Sequence, residues 1–168
     1  EEALAALSPA LRAEAPTGER RQALLLHGWC LVELKRHDDL RAWLERAPAD
    51  GFAADEPALR ALALNVALFD GRHDEVATEA AALLEVATGA ADPLHAELRL
   101  LLGAALRWQG RLQEAVTHVE FACSAFTVLD EPVRGAVAAN FLGWTFLSLG
   151  RLDESRRWFE KSLAINSQ

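Results

Sequence analysis

The sequence predicts an all-α protein built from stacked antiparallel helix pairs. Three observations carry that expectation. Ala and Leu make up roughly 37% of the 168 residues, and both are strong helix formers. Val and Ile are comparatively scarce, which disfavours strand-rich folds. Most informative is a recurring phrase: Lys35-Arg36-His37-Asp38-Asp39-Leu40, Gly71-Arg72-His73-Asp74-Glu75-Val76, Gly110-Arg111-Leu112-Gln113-Glu114-Ala115 and Gly150-Arg151-Leu152-Asp153-Glu154-Ser155. The steps between phrases, roughly 36, 39 and roughly 40 residues, are those of helical-hairpin repeats.

Each phrase reads as a hinge between two helices. Gly71, Gly110 and Gly150 fall just past a helix end, where a left-handed residue is needed. Arg follows, then a bulky residue or His, then Asp or Gln expected at the N-cap, with acid in the first turn. The opposite boundary recurs as Asp55-Glu56-Pro57, Asp92-Pro93 and Asp130-Glu131-Pro132. An acid ahead of a proline in the first turn marks a helix start.

These signals place helix pairs over 18–47, 57–88, 93–129 and 132–166, with an irregular link from Pro48 to Glu56. Within the pairs, small or apolar residues recur at helical spacing after each hinge: Leu40, Leu44, Ala47; Val76, Ala80, Leu83; Ala115, Val119, Ala122; Ser155, Phe159, Ser162. Seven residues before the hinges stand Gly28, Leu64, Gly103 and Gly143. Glycine at three of these four positions lets two helices approach closely. Residues 1–15 align Ala3, Leu7 and Ala10 with Ala115, Val119 and Ala122. They are expected to form the second helix of a truncated repeat, kinked or restarted at Pro9. With an opening of Glu1-Glu2-Ala3 and no Met, residues 1–168 are expected to be one domain cut from a longer array.

Composition narrows the function classes. A hydrophobic fraction of 51% excludes disorder as the main state. No apolar run approaches the roughly 18 residues that cross a bilayer, so no membrane partner is expected. Two cysteines do not make a disulfide framework. A net charge of -8 and a pI near 5.1 argue against direct nucleic-acid binding. Without a signal-peptide pattern, a cytoplasmic location is expected.

Catalytic patterns are lacking as well. The sequence has no phosphate-cradling glycine loop, nucleophile elbow or paired catalytic carboxylates, so neither an enzyme nor a cofactor is expected. His37 and His73 occupy one repeat position a whole repeat apart, which suits hinge packing and not a shared metal. His27, His95 and His118 have no partner at ligand spacing. Cys30 and Cys123 lie on apolar helix faces as buried thiols, and Trp43 and Trp158 read as packing or convex-surface residues.

These residues resemble the tetratricopeptide repeat family. The last unit matches best, through Gly143, Phe146, Gly150, Leu152, Phe159, Leu163, Ile165 and Asn166, with Ser155 and Ser162 replacing the usual alanines. The third matches through Leu102, Gly103, Leu106, Gly110, Leu112, Ala115 and Ala122. The first matches through Gly28, Leu31, Leu40 and Ala47, with Lys35 in place of the hinge glycine. The second departs most, with Leu64 at a small position and Ala67 and Ala80 at large ones. Units of this length, longer than the compact form of the repeat, resemble the arrays of large bacterial regulators.

The resemblance implies a right-handed superhelical solenoid whose first helices line a concave surface. Carried over, that surface presents Leu25, Trp29 and Val32 from the first pair, and Asn65 and Phe69 from the second. The third supplies Arg107 and Trp108, and the fourth Asn140 and Trp144. Aromatic and Arg side chains in a concave patch are typical binding anchors. Asn65 and Asn140 lack the Lys partners of a carboxylate clamp, so a mostly apolar helix or extended segment fits better. The expected function is a non-enzymatic scaffold that binds a protein or peptide. Self-association through exposed terminal helices is a further option. The alternative is an effector-sensing or intramolecular regulatory segment of a bacterial signalling protein or transcriptional regulator.

Overall fold

The computed structural model describes residues 17–87 and 92–167. The helix expected over 1–15 and the expected end of the second pair at position 88 lie outside them. Eight α-helices run through the described residues: α1 (Thr17–Glu33), α2 (His37–Arg46), α3 (Pro57–Phe69), α4 (His73–Val86), α5 (Pro93–Trp108), α6 (Leu112–Val128), α7 (Pro132–Ser148) and α8 (Leu152–Asn166). The described residues contain no strand, and the fold is all-α. Two compact units divide the chain, Glu1–Phe69 with α1 to α3 and Asp70–Gln168 with α4 to α8. In the second unit each helix packs on the next, and α5 also touches α7.

Three of the hinges close their first helix in the same way. At the ends of α1, α5 and α7 the amides of Arg36, Arg111 and Arg151 donate back five residues to the carbonyls of Leu31, Leu106 and Phe146, each at 2.9 Å. The preceding amide donates three residues back, as from Gly110 to Arg107 at 3.1 Å. This paired pattern needs a left-handed residue after the helix. Gly110 and Gly150 supply it with φ of 78° and 74°, and Gly71 after α3 is left-handed too at φ 78°. Lys35, standing where glycine was expected, takes the same conformation at φ 57°. Asp130 does so at φ 56° between α6 and α7.

The expected caps need correction. The residues at N-cap are Arg36, Arg72, Arg111 and Arg151, not the acids or Gln two positions on, and none makes a side-chain cap bond. Each Arg carbonyl already accepts a helical bond, for example from Leu40 at 3.0 Å and from Val76 at 3.1 Å. The helix therefore starts earlier, and the acid three residues on pairs with the Arg side chain. These pairs are Arg36–Asp39, Arg72–Glu75, Arg111–Glu114 and Arg151–Glu154, at 2.6 to 2.7 Å. The Arg hydrogen bonds hold the Glu114 and Glu154 carboxyls below the usual range. Such exposed pairs define geometry more than they stabilise. Asp92 does cap with its side chain, accepting from the Leu94 amide at 2.9 Å.

The link after α2 is also more ordered than expected. It opens with a 3-10 turn at Ala47–Asp50 and reverses at Gly51, φ 87°. Phe52 then turns inward beside Trp43, with ring centroids 6.0 Å apart. Arg20 binds Asp50 at 2.7 Å, and Arg21 reaches Glu56 and the Gly51 carbonyl. These contacts fasten the link to α1.

Three of the first helices, α1, α5 and α7, carry a glycine packed closely against large side chains. A Cβ on Gly103 would lie 2.4 Å from Val119 Cγ2, and one on Gly143 would lie 2.6 Å from the Phe159 ring. On Gly28 it would meet Leu62 at 2.9 Å and Trp43 at 3.3 Å. Ser155 and Ser162, at the usual alanine positions, are buried. Their hydroxyls donate to the carbonyls of Gly143 and Ala136, both at 2.8 Å.

Two substitutions test this framework by urea unfolding. Gly143→Ala is expected to cost about 1–3 kcal/mol by overpacking against Phe159, and Gly143→Ala with Phe159→Leu to recover part of it. Lys35→Gly is expected to gain up to about 1 kcal/mol by relieving a left-handed lysine.

Candidate binding surface on the first helices

In the second unit, helical spacing sets two strips side by side. On α5 the strip runs through Glu97, Leu100, Ala104, Arg107 and Trp108; on α7 it runs through Arg134, Val137, Asn140, Trp144 and Leu147. Glu97 and Arg134 join the strips near their N-terminal ends, at 3.4 Å, with side-chain exposures of only 5% and 12%. Arg134 also lies over the Phe126 ring at 5.5 Å. No sequence pattern signals this pair, because its members are on different helices 37 positions apart.

Farther along, the strips carry large exposed apolar groups. Trp108 is 58% exposed, Trp144 48% and Leu147 41%. Trp144 meets Phe159 edge-on at 5.4 Å, so the glycine at 143 and the tryptophan beside it both lean on one α8 side chain. The Arg107 guanidinium lies 4.7 Å over the Trp108 ring. Its Nε is buried with no hydrogen-bond partner among the described residues, and burial pulls its pKa below the usual value. Asn140 is exposed.

Trp108 is held by the preceding hinge. The His73 ring stacks on it at 5.2 Å and 4°, and Gln109 Nε2 donates to Asp74 at 2.7 Å. In the first unit His37 stacks on Phe69 at 3.9 Å and 14°. The two hinge histidines thus pack on the aromatic that ends the next first helix. Phe69 nevertheless remains 63% exposed.

The other first-unit residues are less open. Asn65 is half-buried and donates to the Ala61 carbonyl at 3.0 Å. Leu25 and Trp29 are half-buried against the core cluster, and Val32 lies within that cluster at 7% exposure. A valine on a binding face and one facing the core share the same helical period, which is why the sequence did not separate them.

Among the described residues, no group of three or more His, Cys, Asp or Glu side chains converges as a metal site. Burial raises the thiol pKa of Cys123, against the opposing effect of Lys161, and burial raises that of Cys30 as well. No helix among the described residues is long and apolar enough to cross a membrane.

Paired helices, glycine crossings and left-handed hinges, recurring along the sequence, define a helical-repeat fold. Within it, residues 94–168 match the family model of the tetratricopeptide repeat. Tetratricopeptide repeats are a non-enzymatic repeat type that mediates protein–protein interaction. A search of curated proteins found no match to the chain.

The Glu97–Arg134 pair offers a direct test of how the two strips are held. Glu97→Ala removes the carboxylate beside a buried guanidinium and is expected to cost about 3 kcal/mol. Adding Arg134→Met is expected to restore most of that loss in thermal or urea unfolding.

Proposed function

We propose that this protein is a scaffold that binds a peptide or protein segment along its first-helix faces, with Trp108 and Trp144 as anchors. One observation carries the reading: Trp108, Trp144 and Leu147 remain exposed on neighbouring strips that a buried ion pair holds in register. Large apolar groups exposed together mark interaction surfaces. Tryptophan and arginine are the residue types that most often dominate such interfaces. Arg107 supplies the polar handle, and Asn140 an adaptable hydrogen-bonding group. Leu25, Trp29, Asn65 and Phe69 offer the same mixture in the first unit. With apolar rings on rigid helices, the favoured ligand is an apolar helix or extended segment.

A displayed random peptide library selected against the whole chain supplies probes. Trp108→Ala and Trp144→Ala are each expected to weaken the selected peptides at least about tenfold, or 1.4 kcal/mol. Circular dichroism should show unchanged helicity, and Val128→Ala, on the second helix α6, should bind as the wild type does. Equal binding by the wild type and the Trp108→Ala/Trp144→Ala double variant would overturn this reading.

A further inference from the structure

A second feature lies away from those strips. Within the second unit, α4 and α6 pack on α5 and leave a cleft of about 560 Å³ between them, a volume typical of small-molecule sites. Its apolar wall is formed by Ala81 and Leu84 of α4 with Leu102 and Leu106 of α5. Arg99 rises from α5 into this wall. Its Nε donates to His95 Nε2 at 3.2 Å, and its Nη1 lies 3.1 Å from His118 Nδ1. The guanidinium also lies 5.0 Å over the Phe121 ring. Burial first, and Arg99 second, push both imidazoles below the usual histidine pKa, so they surround the cation as neutral groups.

Arg99 has no carboxylate partner among the described residues, although it is half-buried. His95 is 9% exposed, and its Nδ1 has no hydrogen-bond partner there either. The neighbouring Arg111 is neutralised by Glu114 at 2.6 Å. Glu85 is the remaining acid of the lining, exposed at the rim.

The next repeat shows that the fold does not require this arrangement. One repeat on, Ala139 stands at the position of Arg99, Phe146 at that of Leu106 and Trp158 at that of His118. There Trp158 packs against the core cluster containing Ala139 and Phe146. The cation comes instead from α8, with Lys161 Nζ 4.6 Å over Trp158. The third repeat leaves open and polar what the fourth fills with a large ring.

We propose that the α4–α5–α6 cleft binds a small amphipathic carboxylic acid. Its carboxylate pairs with Arg99 and its apolar body lies on Ala81, Leu84, Leu102 and Leu106. A carboxylate replaces the ion pair that Arg99 lacks, since charge-assisted Arg–carboxylate bonds are the strong class. The leucine and alanine wall selects an apolar tail over a free inorganic anion. This site is independent of the peptide surface proposed above, and it would suit a repeat array that responds to an effector.

Titration calorimetry on the whole chain with octanoate tests the assignment, with octylammonium as the charge-reversed control. Octanoate is expected to bind at millimolar or tighter affinity and octylammonium not to bind. Arg99→Gln should weaken octanoate at least about tenfold, and Glu85→Gln should strengthen it severalfold by removing the competing acid. Ala81 is exposed, so Ala81→Trp should block the cleft without disturbing the core, even if Arg99→Gln unfolds. Absence of saturable octanoate binding at about 10 mM, or equal binding to wild type and Ala81→Trp, overturns the proposal. Tighter binding of octylammonium, lost in Glu85→Gln, would overturn it in favour of a cation site.

Discussion

The third and fourth helix pairs depend on the close approach of a glycine in the first helix to a large side chain in the second. The room is small: an added methyl would meet Val119 at 2.4 Å at one crossing and the Phe159 ring at 2.6 Å at another. In the first unit Gly28 of α1 is met by Leu62 of α3 as well as by Trp43 of α2. Once the crossing is fixed, the first helix has a defined buried side and a defined outer strip. Exposure of Trp108 and Trp144 follows from that orientation. In the second unit the crossings at Gly103 and Gly143 each lie inside one pair, so stability there accumulates by stacking pairs.

The hinge is the second constraint, and it is met by geometry more than by residue identity. Glycine occupies the left-handed position at three phrases, yet Lys35 and Asp130 adopt it too. The paired backbone bonds at the helix end repeat regardless, as the Arg36–Leu31 and Glu131–Phe126 bonds at 2.9 Å show. The same tolerance is seen inside the pairs. Ser155 and Ser162 replace alanine at buried positions, where a bare hydroxyl would be costly. Each donates to a carbonyl of α7, which turns a departure from the repeat pattern into an added tie between α7 and α8.

How much of this was legible follows from what a periodic pattern records. Helical spacing reports which residues share a face of one helix, so the all-α class, the proline starts and the glycine hinges could be read. The family match over residues 94–168 falls on the two pairs with the most regular crossings. The N-caps were misplaced because Asp and Gln are good caps by type, whereas Arg36, Arg72, Arg111 and Arg151 hold that position through backbone geometry alone. Contacts between helices were not legible. The stacks of His37 on Phe69 and His73 on Trp108 join positions 32 and 35 apart, and nothing in a single-helix period announces them. Val32 shows the same limit from the other side, since its face was legible and its burial was not.

These two kinds of position have different consequences for function. Crossing glycines and hinge residues are tied to backbone geometry, so a change there disturbs the pair itself. Positions one turn away are not so tied, and the chain uses them differently in adjacent repeats. Arg99 and Ala139 occupy one register position, as do His118 and Trp158. Both repeats nevertheless keep the same glycine crossing and the same Arg–Glu cap pair. A scaffold that accepts either a filled ring packing or an open polar cleft at one place can acquire chemistry repeat by repeat without renegotiating its fold. That separation lets exposed aromatic strips on the first helices and a cationic cleft beside α5 exist in one unit, each adjustable without loss of the other.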